Sequence, residues 1–353
     1  MGPPSPEQPF VTGTLETAVG PVPRVSSALT RSDRWGGIKV RWGLGRMCYT
    51  VEPGLYALGS PDSRSPVLVT ANYKLSFDRV RAAVPDRDAW ILVLDTRGIN
   101  VWCAAGKGTF GTEEIVRRVA LSGLGRLVTH GELIVPQLAG PGVAAHLVKR
   151  WSGFKVIYGP VRAEDLPAFL DQGCKATREM RCKTFALGER AVLIPVELVS
   201  AAKWAFIIAP ILALLGGLGG PHDFWTDVVS RGVPCAGVLL LGVLTGAVIT
   251  PLLLPWLPGR AFTVKGLWAG SAVGLLFVLF VGRDWAAWSG RLESAAWIFL
   301  LSAVSAFLAM NFTGASTYTS LSGVRKEMRW AVPVEIFMGV MGVSLWLGVQ
   351  LAA

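Results

Sequence analysis

The chain has 353 residues and a formal net charge of +10; it is 52% hydrophobic and only 16% charged. That balance is too apolar for an ordinary soluble domain, and five cysteines without paired spacing exclude a disulfide framework. The charge is uneven, with 25 Lys/Arg and 18 Asp/Glu in residues 1–200 but only 9 and 6 in residues 201–353. A soluble half therefore precedes a membrane half. The positive excess reads as loop-charge bias plus a mildly basic soluble face, so no nucleic-acid partner is expected.

The opening MGPPSPEQPF has no basic region followed by an apolar run. No cleavable signal peptide is expected, and the soluble half is expected to stay cytoplasmic. Residues 1–45, rich in Pro and Gly, read as an N-terminal arm. Strand and helix patterns then alternate over 46–175. SPVLVTANY (65–73) and the apolar run AWILVLDT (89–96) read as strands, the second as a buried parallel one. SFDRVRAAV (76–84) and TEEIVRRVALSGL (112–124) read as helices, the latter with Thr112 as N-cap. RLVTHGELIVPQ is strand-like, AAHLVKRW helical, FKVIYG a strand, and AEDLPAFLDQG a helix ending on Gly173. This rhythm predicts a doubly wound, Rossmann-like α/β domain, whose ligands bind beyond the carboxyl ends of its strands.

NVWCAAGKGTFGTEE (100–114) falls just there, after AWILVLDT. Three chemistries compete for it. A phosphate-binding P-loop fails at two positions: Val101 stands where its first glycine belongs, and Gly108 follows Lys107 in place of Ser or Thr. Gly106, Gly108 and Gly111 match the dinucleotide spacing G-x-G-x-x-G, and Glu132 follows 21 residues after Gly111. That fingerprint, however, wants its first glycine against the strand end. The third reading makes Asn100 the N-cap of a short helix, Val101 to Lys107, with Cys103 in its first turn. A helix N-terminus and Lys107 one turn on would favour a thiolate; a buried Cys acting as a small hydrophobe is the bland alternative.

Residues 176–197 form a basic linker, and 198–353 hold five apolar segments of membrane-spanning length. They are Leu198–Leu218, Pro234–Leu257, Ala261–Val281, Ser294–Phe312 and Ala331–Leu351. Lys and Arg before the first span, at Arg260 and Lys265, and at Arg325, Lys326 and Arg329 outweigh Arg231, Arg283 and Arg291 on the other side. This predicts an inner-membrane protein with a cytoplasmic soluble domain and an outside C-terminus. Only Lys265 and Glu335 enter apolar segments, near their ends, so the spans are expected to anchor rather than transport. Residues 311–330 read as a polar cytoplasmic loop, either a cover for the soluble domain or a solvated connector.

The octet NVWCAAGK (100–107) resembles the cap-helix motif of the HgcA family of mercury-methylating corrinoid proteins. The resemblance extends through VEPGLYALGSPDSRSPVLVTANYKLSFD (51–78), LPAFLDQG (166–173) and the five-span tail. The soluble half is also similar to the corrinoid domain of the corrinoid iron–sulfur protein, where Thr typically replaces Cys103 and cobalt has no protein ligand. The HgcA resemblance implies a base-off cobalamin with Cys103 as the lower axial ligand of cobalt. It implies cofactor contacts from Asn100, Val101, Trp102, Cys103, Ala104, Ala105, Gly106, Lys107, Gly108 and Thr109. It adds Thr70 and Asn72 after one strand, and Val135, Pro136, Gln137 and Leu138 after another. The implied activity is methyl transfer from methylcobalamin to Hg(II), with the methyl group supplied by a methyltetrahydrofolate-dependent donor system. The implied partner is a ferredoxin-like protein with two 4Fe–4S clusters (HgcB), since this chain has no cluster-type run of cysteines. Cys174 and Cys182 read as structural or incidental thiols, with a part in passing mercury as the alternative. A membrane-anchored corrinoid methyl carrier of one-carbon metabolism and an NAD(P)-binding membrane oxidoreductase are the rival readings.

Overall fold

A computed structural model describes residues 4–282, 284–315 and 321–352. The chain divides into two compact units: Met1–Val40 with Leu44–Thr184 form the first, and Arg41–Gly43 with Phe185–Ala353 the second. Arg283, residues 316–320 and Ala353 lie outside the described residues.

The first unit contains strands β1 (Val11–Thr17), β2 (Gly20–Val25), β3 (Gly54–Leu58), β4 (Val67–Ala71), β5 (Ala89–Leu94), β6 (Glu132–Val135) and β7 (Lys155–Tyr158). They form one sheet in the order β1-β2-β3-β5-β4-β6-β7. β5, β4, β6 and β7 run parallel; β3 pairs antiparallel with β5, so the sheet is mixed. β4 (VLVTA) and β5 (AWILVL) are buried at every position, as strands covered on both faces must be. Alternate side chains enter opposite layers. Val69, Leu92, Leu94, Leu133 and Val135 pack with Ile115 and Val119 of α4 (Thr112–Ser122) and Val148 of α5 (Ala145–Ser152). Leu68, Ile91, Val93 and Ile134 pack with Phe77 and Val80 of α2 (Lys74–Ala83) and Phe169 of α6 (Leu166–Asp171). Helices thus cover both faces, as a doubly wound sheet requires.

The expected N-terminal arm is part of this unit. β1 and β2 form a hairpin, and β2 extends the sheet beside β3. α1 (Arg31–Arg41) follows. The alternating Val, Leu and Thr of β1 were obscured by flanking Pro and Gly, which here mark strand ends. Asp33 of α1 is locked to Lys74 at 2.5 Å and to Arg81 at 2.8 Å, and both cations also pair with Asp78. Two buried acids thus balance two buried bases, which a low-dielectric site demands. Burial alone would raise the Asp33 pKa, but hydrogen bonds from Lys74, the Thr30 N–H and Arg81 outweigh it. Its carboxyl is held well below the usual carboxylate range.

Thr112 is not the N-cap of α4. Gly111 holds that position, and the Thr112 hydroxyl instead accepts from the Ala144 N–H at 2.8 Å.

Among the described residues, the second unit has five helices long and apolar enough to cross a membrane. They are α7 (Leu187–Leu215), α8 (Phe224–Leu253), α9 (Phe262–Val281), α10 (Trp288–Gly314) and α11 (Ser322–Ala352). Gly266, Gly270 and Gly274 line one face of α9, where a Cβ on Gly270 would stand 2.7 Å from the Ser302 Cα of α10. The close approach admits the Ser305 hydroxyl to the Gly266 carbonyl at 2.9 Å, and Ser271 and Ser302 hydroxyls meet at 3.0 Å. Small residues at four-residue spacing commonly let membrane helices pack in this way. At the end of α8, Arg190 donates to the Pro251 and Leu252 carbonyls, and Lys265 to those of Leu254 and Leu257. These basic residues therefore also cap a helix.

The described residues of 311–330 are helical where a loop was expected. The stretch is helical through Ala315 and again from Leu321, and only 316–320 lie outside the described residues. The hydroxyl that argued against helix is satisfied inside it: Thr313 Oγ1 donates to the Met310 carbonyl at 2.5 Å. Glu327 accepts from the Thr263 N–H and hydroxyl at 2.7 and 2.9 Å, tying this helical start to α9.

Candidate functional site

The order β5-β4-β6-β7 places a topological switch at β4. The chain leaves β4 to build β5 on one side, then crosses to build β6 on the other. Ligands of open α/β sheets bind at such a point, beyond the strands' carboxyl ends. Three connections meet there: the turn after β4, the loop after β5, and the Gln137–Ala139 turn after β6.

Asn72 organises the first two. Its Oδ1 accepts from the N–H groups of Thr96 at 3.1 Å and Gly98 at 2.9 Å. The Thr96 hydroxyl bridges Asn72 Oδ1 at 2.8 Å and the Ile99 carbonyl at 2.7 Å. The loop is tight. Arg97 and Gly98 both have positive φ, and a Cβ on Gly98 would lie 2.8 Å from Thr50 Cγ2. Only glycine avoids that clash in this left-handed conformation.

This loop delivers the chain into α3 (Val101–Lys107). Asn100 is its N-cap, and its Oδ1 accepts from the Cys103 N–H at 2.9 Å. Gly108, at φ 80°, ends the helix and donates to the Ala104 and Ala105 carbonyls. α3 lies against the Gln137–Ala139 turn and the end of β4. Gly142 permits close packing behind it: a Cβ there would collide with the Phe110 carbonyl and stand 2.9 Å from that of Ala105.

Burial sorts the expected contacts. Thr70, Asn72, Ala104, Ala105 and Val135 are buried in the unit, so they shape the site from behind rather than line it. Asn100, Val101, Trp102, Cys103, Thr109, Pro136, Gln137 and Leu138 are half-buried, and Gly106, Lys107 and Gly108 are exposed. α3 packs Ala104 and Ala105 into the core of the unit. Thr70 Oγ1 and Gln137 Oε1 are buried without a hydrogen-bond partner. Cys103 itself is half-buried, between the buried Ala104 and Ala105 and the exposed Gly106 to Gly108 on one side and the half-buried Asn100 to Trp102 on the other.

The glycine spacing has a structural explanation. Gly108 caps α3, Gly111 caps α4, and a whole helix separates both from β5. A dinucleotide loop would follow the strand directly. Sequence reasoning missed Thr96, Gly98 and Gly142, which position α3 without facing outward. A clue lay in the Gly98-Ile99-Asn100 turn, where a positive-φ residue precedes a cap.

The remaining thiols stand apart in character. Burial pushes the Cys174 thiol pKa up, with Glu132 adding to the effect, so thiolate is disfavoured there. Cys182 is exposed. Among the described residues, no three His, Cys, Asp or Glu side chains gather as a metal site.

Residues 45–170 match the family described as CO dehydrogenase/acetyl-CoA synthase delta subunit. The chain is also similar to gamma subunits of the acetyl-CoA decarbonylase/synthase complex. That of Methanopyrus kandleri is 35% identical over 127 residues, covering 35% of this chain and 26% of the relative. That of Methanothermobacter thermautotrophicus is 31% identical over 124 residues, covering 35% and 27%. The Methanocaldococcus jannaschii subunit is 36% identical over 91 residues, covering 25% and 19%. The chain spans about a quarter of the length of the first two relatives. The family match lies within the α/β unit and ends before the five long helices begin.

Proposed function

We propose that this protein is a membrane-anchored, corrinoid-dependent methyltransferase that passes a methyl group to Hg(II). The observation that carries the reading is the placement of Cys103: a half-exposed thiol in the first turn of a capped helix, at the switch point of a doubly wound sheet. The likeness to acetyl-CoA synthase complex subunits supports a corrinoid, methyl-transferring ancestry for the α/β unit. The residues suit a cobalamin. Cys103 offers a soft donor for cobalt, and the partnerless Gln137 Oε1 offers an acceptor for a cofactor amide.

Cobalamin, when bound, supplies the transferable methyl group. The chain's own residues do the rest. Cys103 would hold the cobalt through its sulfur, and the Asn100 cap fixes the start of the helix that carries it. Asn72, Thr96 and Gly98 hold the loop that aims α3. Hg(II) is an electrophile, so a methyl group bound for it would have to leave with electron density, and a donating sulfur ligand from Cys103 would favour that polarity. Reducing equivalents come from a ferredoxin-like partner with two 4Fe–4S clusters, and methyl groups from a methyltetrahydrofolate-dependent donor. The α/β unit faces the cytoplasm and the long helices anchor it in the inner membrane, as the distribution of Lys and Arg favours.

The test is the visible spectrum of full-length protein purified with cobalamin, followed by methylmercury formation with a reduced ferredoxin. Wild-type protein should hold a corrinoid whose bands shift in Cys103→Ala, and only wild type should methylate Hg(II). A second reading, a corrinoid methyl carrier of one-carbon metabolism, is favoured by the acetyl-CoA synthase likeness. It predicts methyl transfer to another acceptor that survives Cys103→Ala.

A further inference from the structure

Helix α1 has one face built into the α/β unit and one face left exposed among the described residues. Asp33, Gly37 and Val40 form the buried face. Opposite them stand Trp35, Ile38 and, one residue past the helix end, Trp42, spaced as one helical stripe. All three are exposed, Trp35 by 63%. The turn that follows adds Leu44 and Met47, exposed by 62% and 70%. Exposed Arg31, Arg34 and Lys39 flank the stripe. Asp33 is the helix's only carboxylate, and it points inward to Lys74 and Arg81. The outer surface therefore combines two tryptophans and aliphatic side chains with cations alone.

We propose that α1 lies in the plane of the membrane surface, its Trp35-Ile38-Trp42 stripe seated among anionic lipid headgroups. The inference rests on the reading that the long helices of this chain are membrane-inserted. An 11-residue helix carrying this much charge cannot span a bilayer. Tryptophan favours the headgroup layer because its ring is apolar and its N–H needs a wet partner. Lys and Arg on the same surface are drawn to anionic lipid. The spans keep the bilayer within reach, so even a weakly binding helix is retained by effective concentration. An acidic protein surface would use the cations but leave the apolar stripe unexplained.

The experiment is hydroxyl-radical footprinting of the full chain, one copy per nanodisc, in phosphatidylglycerol and in phosphatidylcholine. Trp151, exposed by 52% in the α/β unit, is the internal reference. In phosphatidylglycerol, Trp35 and Trp42 should oxidise several-fold more slowly than Trp151. The protection should weaken in phosphatidylcholine and in the Arg31→Glu, Arg34→Glu, Lys39→Glu variant, whose changes are all at exposed positions. An unchanged Trp151 rate shows that the variant is folded. Trp35 and Trp42 oxidised as fast as Trp151 in phosphatidylglycerol would overturn the proposal. So would protection indifferent to both lipid charge and charge reversal, or protection that needs two copies per disc; these indicate a protein occupant. Failure of the chain to enter nanodiscs would sink the membrane reading itself, a result seen before any oxidation is measured.

Discussion

Cys103 combines a reactive side chain with a small structural footprint. It is half-exposed, and its backbone rather than its sulfur carries the cap hydrogen bond from Asn100. Cys103→Ala should therefore leave the thermal unfolding midpoint nearly unchanged while abolishing methylmercury formation. Retained methylation would remove the thiol from the chemistry. Asn72 has the opposite profile. Buried, with one oxygen accepting two backbone N–H groups, it holds the loop that leads into α3. Asn72→Ala strands those donors, at about 1–3 kcal/mol for each one left unsatisfied. A lowered melting temperature is expected, with partial recovery in Asn72→Asp, which keeps an acceptor. Equal melting of wild type and Asn72→Ala would show that the loop is held by other contacts.

At the level of elements, the α9–α10 contact depends on the absence of side chains. Gly270→Leu would force α10 away, since a Cβ alone would stand 2.7 Å from Ser302 Cα. Overpacking of this kind costs about 1–3 kcal/mol. Gly339 of α11 has nothing within 4 Å of its would-be Cβ, so Gly339→Leu serves as the control. Thermal aggregation of detergent-solubilised protein should begin at lower temperature for the first variant only. The tie between α1 and α2 depends on charge. Because the folded Asp33 carboxyl titrates below its unfolded value of about 3.9, its contribution is present above that pH. It is lost as pH falls through the folded value. The α/β unit should accordingly weaken below about pH 4, and Asp33→Asn should be less stable at pH 7 with a flatter acid limb. Circular dichroism at both pH values reads this directly; identical acid limbs would place the acid sensitivity elsewhere.

Across the whole molecule, the proposed arrangement is a cytoplasmic α/β unit on a five-helix anchor. A periplasm-dependent reporter fused to the C-terminus should be active, and one inserted near Gly259 inactive. The reverse pattern would break the proposed orientation. The helical state of the described part of 311–330 changes what this anchor can do. With Glu327 tied to Thr263, the described part of that stretch belongs to the bundle and is not free to act as a lid.

The elements that bury continuous apolar runs were legible in the residues themselves. AWILVL could only be a covered strand, and five long apolar segments could only be long buried or membrane helices. The α3 boundaries were also local, because Asn100 and Gly108 encode the cap and stop chemically. Tertiary structure decided what depends on neighbours distant in sequence. The strand order put β4 between β5 and β6, and so created the switch point. Packing turned Ala104 and Ala105 inward and left Cys103 half-exposed, a choice that seven residues of helix cannot make alone. β1, β2 and the hydroxyl-rich helix starts escaped notice because their local propensities are weak. Pairing to β3 and hydrogen bonding to α9 stabilise them instead. Residue chemistry sets periodicity, caps and charge, but only the folded chain determines which face looks outward, because burial is a property of the assembled layers.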